Sequence, residues 1–142
     1  MVVSAECRVA SRGMDDLVTH LAIDHSLCGT PTFVEGGRAE VRLEATREMS
    51  ADDRGLVHGG FVFGLADYAA MLAVNDPNVV LGSADVRFLA PVRVGEKLTA
   101  VALMAGRQGD RREIEVSVHR REKTVFAGVF TCHVPGSHVL DR

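Results

Sequence analysis

Residues 59–74 read Gly-Gly-Phe-Val-Phe-Gly-Leu-Ala-Asp-Tyr-Ala-Ala-Met-Leu-Ala-Val, and they restrict the fold more than any other stretch of the chain. From Phe61 to Val74, Asp67 is the only ionisable side chain apart from the Tyr68 phenol. A helix of this composition has no wet side and must be buried nearly all round. It begins near Gly59 and stops at Asn75-Asp76-Pro77, where the residue before proline leaves helical geometry. At about 1.5 Å per residue it is long enough to cross a small sheet, and a sheet curled around it supplies the burial. Asp67 is then an anomaly, because burying an unpaired carboxylate costs several kcal/mol, and chemistry is a candidate reason for tolerating it.

The flanking sequence provides that sheet. Thr32–Glu35, the turn Gly36-Gly37 and Arg38–Arg47 predict a hairpin, and its second arm alternates Ala39, Val41, Leu43 and Ala45 with Arg38, Glu40, Arg42 and Glu44. After the long helix come four strand-like runs, Val79–Leu89, Glu96–Gly106, Arg111–Arg120 and Thr124–His133. Their short connections favour antiparallel neighbours. Upstream, Leu17, Val18, Leu21, Ala22 and Leu27 recur near the helical period behind Asp15 and Asp16, so a first helix is expected over about 14–28. Cys28-Gly29 and then Pro31 would end it. The reading is a single α+β domain over 1–142, with its core over about 32–134 and a short C-terminal tail.

At 142 residues the chain has room for one ordinary domain. A net charge of −3 gives no electrostatic footprint for nucleic acid. The doublets Arg111-Arg112 and Arg120-Arg121 read first as solvated strand ends and second as a rim for a phosphorylated ligand. No apolar run approaches the roughly 20 residues that cross a bilayer, and Glu6 and Arg8 interrupt the apolar start, unlike a signal peptide. Cys7, Cys28 and Cys132 form neither a disulfide framework nor a zinc pattern, which points to a reducing, cytoplasmic setting, and the charge and short apolar runs lead to the expectation of no nucleic-acid or membrane partner.

The chemical reading centres on the start of the long helix. There the first amides have no partner inside the helix and the dipole favours negative charge. Gly59 and Gly60 let a ligand carbonyl approach those amides, as in an oxyanion hole; the plainer reading is a tight strand-to-helix turn. Asp67, nine residues after His58, could act as general base on water or as a nucleophile toward an acyl group, or could simply bond a neighbouring backbone or a partner subunit. Asp52 and Asp53 precede His58 closely enough to reach the same mouth, though loop solvation is their ordinary role. His20 and His25 do not share a helix face, His133 and His138 have no further ligands nearby, and no metal site is expected.

The motif His58-Gly59-Gly60-Phe61 with Leu65-Ala66-Asp67, followed by Arg87-Phe88-Leu89-Ala90-Pro91 and Gly95-Glu96, closely resembles the hotdog-fold acyl-CoA thioesterases of the PaaI-like group. The resemblance runs from about Arg38 to Val134. It implies a curled antiparallel sheet around the long helix and two subunits joined edge to edge, as a homodimer or homotetramer. It further implies that the Gly59 and Gly60 amides polarise the thioester carbonyl, that Asp67 activates water or attacks, and that His58 shapes the pocket at the dimer interface. Asp52 stands where that group usually carries Asn. On this resemblance the substrate is a small-molecule acyl-CoA, its coenzyme A part of the substrate, and no separate cofactor is expected.

Candidate substrate contacts are Asp52, Gly59, Phe61, Tyr68, Met71, Ser83 and Arg87, with Phe63 a further candidate for the acyl pocket. Arg93, Arg111 and Arg112 join Arg87 as possible phosphate contacts. Two relatives offer other functions. Acyl-CoA-sensing hotdog domains of lipid regulators bind without hydrolysis, and Lys123–Gly128 is similar to their last strand. MaoC-like hydratases share an Asp-x4-His pair, here Asp53 and His58, but Gly55-Leu56-Val57 differs from their Asn-Pro approach to the His.

Overall fold

The computed structural model describes Met14 and residues 16–141. Glu6, Cys7, Arg8 and Asp15 lie outside the described residues. Six strands form one antiparallel sheet: β1 (Thr30–Glu35), β2 (Arg38–Glu44), β3 (Val80–Phe88), β4 (Lys97–Gln108), β5 (Arg111–Arg120) and β6 (Lys123–His133). Their spatial order is β1-β2-β4-β5-β6-β3, so β1 and β3 are its edges. A short helix α1 (His25–Cys28) precedes the sheet, and the long helix α2 (Gly59–Val74) lies across its concave face.

Side-chain alternation explains why this sheet takes a helix on one face. In β4 the buried residues are Leu98, Ala100 and Ala102, and their opposite numbers on β5 are Val118 and Val116, equally buried. From α2, Leu65, Ala66, Ala69, Leu72 and Ala73 fill the same core. Three alanines on that side bring the helix axis close to the strands. Register shifts at Pro31/Phe33, Leu81/Ser83, Met104/Gly106 and Val118/His119 interrupt four of the ladders. Each such bulge bends its strand and increases local twist, which curls the sheet around the helix.

The expected first helix over about 14–28 is much shorter. Its last turn forms because Asp24 takes the N-cap position, accepting hydrogen bonds from both the Ser26 N–H and the Ser26 hydroxyl. Upstream, the backbone is engaged elsewhere. The Asn75 side-chain amide donates to the Asp16 carbonyl at 3.0 Å, and its oxygen accepts the Val18 N–H at 3.0 Å. His20 adopts φ 55°. Residues 16–24 therefore run as a strap, from which Leu17 and Ile23 pack on the core, with Leu27 doing so from α1.

Candidate functional site

The approach to α2 is rigid before the helix begins. Val57 N–H donates to Val92 C=O and His58 N–H to Met49 C=O, so two neighbouring segments fix the last residues of the loop. His58 is the N-cap residue with extended φ/ψ, and its ring makes no capping bond. The ring instead folds over Gly60: a Cβ there would lie 3.0 Å from His58 Nε2. Phe61 meets the same ring edge-on. At Gly59 a Cβ would lie 3.1 Å from the Phe88 ring. Glycine at both positions thus accommodates one aromatic or imidazole ring over each peptide. Phe61 N–H already bonds His58 C=O, and among the described residues the Gly59 and Gly60 N–H groups find no acceptor. Two unmatched donors at the positive end of a helix dipole form an anion or carbonyl site.

Asp67 sits two turns further along α2. Its Oδ1 is buried and has no hydrogen-bond partner among the described residues. Burial raises its pKa from 3.8 to about 6, because the apolar surroundings penalise the carboxylate. The same charge reaches two thiols. Cys132, buried on the inner face, is pushed up to about 12, first by desolvation and then by Asp67. The Cys28 thiol is raised by desolvation, then by Asp24 and Asp67. Both therefore stay protonated at neutral pH, as core residues and not nucleophiles.

The remaining sequence candidates separate. Asp52 closes its own loop, its Oδ1 accepting the Arg54 and Leu56 N–H groups at 2.9 and 3.1 Å. Tyr68, 2% exposed, and Met71, 1% exposed, are part of the packed core. Tyr68 is flanked by His20 and His25, each ring centroid 6.1 Å away, so the strap brings together two histidines that a continuous helix would have kept apart. Phe63 stacks with Phe130 at 5.3 Å and belongs to an aromatic cluster with Phe126. Ser83 and Arg87 lie away from the helix. The inner residues of β3 are Ala84, Val86 and Phe88, opposite Phe130, Gly128 and Phe126. Ser83 and Arg87 alternate with these and lie on the convex face, where Arg87 borders a groove with Asp85, Val101, Glu115 and Val129.

Phe88, which the sequence places only within the strand-end motif, lies over Gly59. Leu81 points inward opposite Cys132, and uninterrupted alternation would carry Ser83, Asp85 and Arg87 inward too. The bulge between Leu81 and Ser83 shifts the parity by one and brings Phe88 to the glycines instead. Gly82, which sits in that bulge, was the available signal. No group of three or more metal-ligating side chains occurs among the described residues, and no described helix is long and apolar enough to cross a membrane.

Known proteins share both the motif and the architecture. A family model described as the thioesterase superfamily matches residues 54–127, from the loop before α2 into β6. An uncharacterized protein from Pyrococcus horikoshii superposes with a TM-score of 0.88 at 52% identity, over 89% of this chain and 98% of that one. The PaaI protein of the E. coli phenylacetic acid degradation operon superposes with a TM-score of 0.75 at 24% identity, over 95% and 97%, a likeness of fold. Among curated proteins, a methylthioribose-1-phosphate isomerase of Aquifex aeolicus is 49% identical over 115 residues, which cover 81% of this chain and 25% of that protein. The transcription factor FapR of Shouchella clausii is 37% identical over 79 residues, covering 56% of this chain and 41% of FapR. The chain thus spans less than half the length of these two curated relatives. With a matched family model over half its length and a six-stranded antiparallel sheet curled around one long helix, this chain belongs to the thioesterase superfamily and has its hotdog fold.

Proposed function

We propose that this protein hydrolyses acyl-CoA thioesters. The observation that carries the reading is the pairing, on one helix, of two unmatched glycine amides with a buried carboxylate oxygen that has no partner among the described residues. The Gly59 and Gly60 N–H groups would accept the thioester oxygen and stabilise the negative charge it gains as the carbonyl carbon is attacked. Asp67, ionised above about pH 6, would either remove a proton from the attacking water or attack the carbonyl carbon itself. In the first route the water oxygen bonds to carbon and its proton passes to Asp67. The tetrahedral intermediate then expels the coenzyme A sulfur, which takes the proton back.

In this reading the protein works as a two-fold assembly, in which Asp67 of the partner subunit would serve the Gly59 and Gly60 amides of the first. The open edge of β3, exposed from Gly82 to Asp85, offers unpaired backbone groups for the β3 of a second copy. His58 then shapes the pocket at the boundary.

A steady-state panel of acyl-CoAs with a thiol reporter, on wild type and Asp67→Ala, tests the proposal. Thiol release that depends on Asp67 supports it. A second reading, an acyl-CoA-binding regulator, draws on the likeness to FapR. It is favoured if calorimetry detects acyl-CoA binding while wild-type turnover does not exceed that of Asp67→Ala. Change in enoyl-CoA absorbance without free thiol would indicate a hydratase instead.

A further inference from the structure

Beside the free amides of α2 lies a groove of about 370 Å³, lined by Val57, Gly59, Val62, Phe88, Ala90 and Val92 among others. Every side chain on that wall is apolar, and the Gly59 backbone opens onto its helix end. The two edges differ in character. Val57, Val62 and Val92 are buried and fixed in the core, whereas Phe88 is 57% exposed and held through an edge-on contact with Phe126 at 5.2 Å. Phe88 is also the side chain that lies over Gly59.

We infer that this groove receives the acyl group of the substrate and that Phe88 determines which acyl groups fit. The inference rests on the thioesterase reading, and it names the occupant from complementarity. A thioester carbonyl held by the amides must direct its carbon substituent along an apolar surface next to them, and this groove is that surface. An apolar groove of this size suits an aromatic ring or an alkyl chain. Phe88 closes one side, because its ring occupies the space that a glycine at position 59 leaves free. Phe88 is thus a specificity-determining residue, distinct from Phe61, Tyr68 and Met71, of which the last two are packed inside the core.

The test uses the full chain and a ladder of straight-chain acyl-CoAs from two to fourteen carbons, with benzoyl-CoA and phenylacetyl-CoA. The variants are Phe88→Ala, which opens the groove, and Ala90→Phe, which fills it. The expected result is an at least 10-fold shift of the kcat/KM ratio toward longer chains in Phe88→Ala, and a shift of similar size toward acetyl-CoA in Ala90→Phe. Phe88→Leu, which keeps apolar bulk, should stay nearer to wild type. A parallel binding ladder of non-hydrolysable 2-oxoalkyl-CoA thioethers, read by calorimetry, gives the same comparison without turnover. If wild type turns over no acyl-CoA but the binding ladder shifts as described, the thioesterase reading fails and the acyl groove stands. Chain-length profiles that remain within twofold of wild type in both variants, by turnover and by binding, would overturn the groove assignment.

Discussion

The Asp67→Asn substitution gives the sharpest test of how this helix is built, because it alters charge without altering shape. In the folded protein Asp67 titrates near 6 instead of 3.8, owing to burial beside apolar neighbours. At about 1.4 kcal/mol per pH unit, that difference corresponds to about 3 kcal/mol between protonated and ionised forms. The sign follows from proton linkage. Below pH 4 the carboxyl is protonated in both folded and unfolded chains, and it contributes no penalty. Between pH 4 and 6 the unfolded chain releases the proton while the folded chain keeps it, so wild-type stability falls as pH rises. Above pH 6 the folded carboxylate is charged, and the penalty is fully present.

Asp67→Asn does not titrate and keeps one unmatched oxygen, so the variant should gain about 2–3 kcal/mol over wild type at pH 7.5 and nearly nothing at pH 3.5. Urea unfolding of both proteins across that range, at one fixed protein concentration, measures the difference and cancels other titrating groups. The same substitution should lower kcat by about 10²–10⁴-fold, the usual contribution of a general base. A stability difference that stays constant with pH would refute the argument, since it would require the ionised Asp67 to have a compensating partner.

The pH dependence of hydrolysis is the kinetic counterpart: kcat should rise about tenfold per pH unit below about pH 6 and level off above it, as measured with a thiol reporter. Gly60→Ala places a methyl against the His58 ring, whose Nε2 would lie 3.0 Å away. The exposed ring can rotate and alanine favours helix by up to about 1 kcal/mol, so stability should hold while kcat drops at least tenfold. Asn75→Ala removes both strap hydrogen bonds and puts alanine at φ 49°, at a cost of about 2–3 kcal/mol by thermal or chemical denaturation. Asn75→Gly relieves the backbone strain alone and should recover about 1 kcal/mol, with the Val18 amide still exchanging faster than in wild type.

Where the chain's local signals and its tertiary contacts agree, the sequence was enough. The α2 boundaries coincide with Gly59 and with Asn75 in left-handed geometry, because glycine and Asn-Asp-Pro act within a few residues. The strands after α2 fall within about two residues of their expected limits because alternation and turn residues are local as well. The strap was not legible. Leu17, Leu21 and Leu27 carry a helical period, yet the choice is made by Asn75, 57 residues beyond Val18, whose side chain takes the amide and carbonyl a helix would have used. The site was legible in its polar members and not in its apolar ones. His58, the two glycines and Asp67 announce themselves by residue type, whereas Phe88 depends on strand parity, and one bulge reverses that parity.

The third face of α2 links the fold to the proposed assembly. One side of the helix is buried against β2, β4 and β5, and the strap covers the Tyr68 and Met71 turns on the other. That leaves the first two turns of the sheet-distal face, where Gly60 is exposed and a Cβ on Gly64 would meet nothing within 4 Å. A glycine inside a helix destabilises it by about 1 kcal/mol relative to alanine, and no atom of the described residues makes that glycine necessary. The polar-poor sequence of α2 therefore exceeds what the described residues cover. Space beside Gly64, two free amides above it and an unmatched carboxylate below it lie along one line of the helix, 60, 64 and 67 being successive turns. A ligand or a second copy entering along that line would meet each in turn, the carboxylate last.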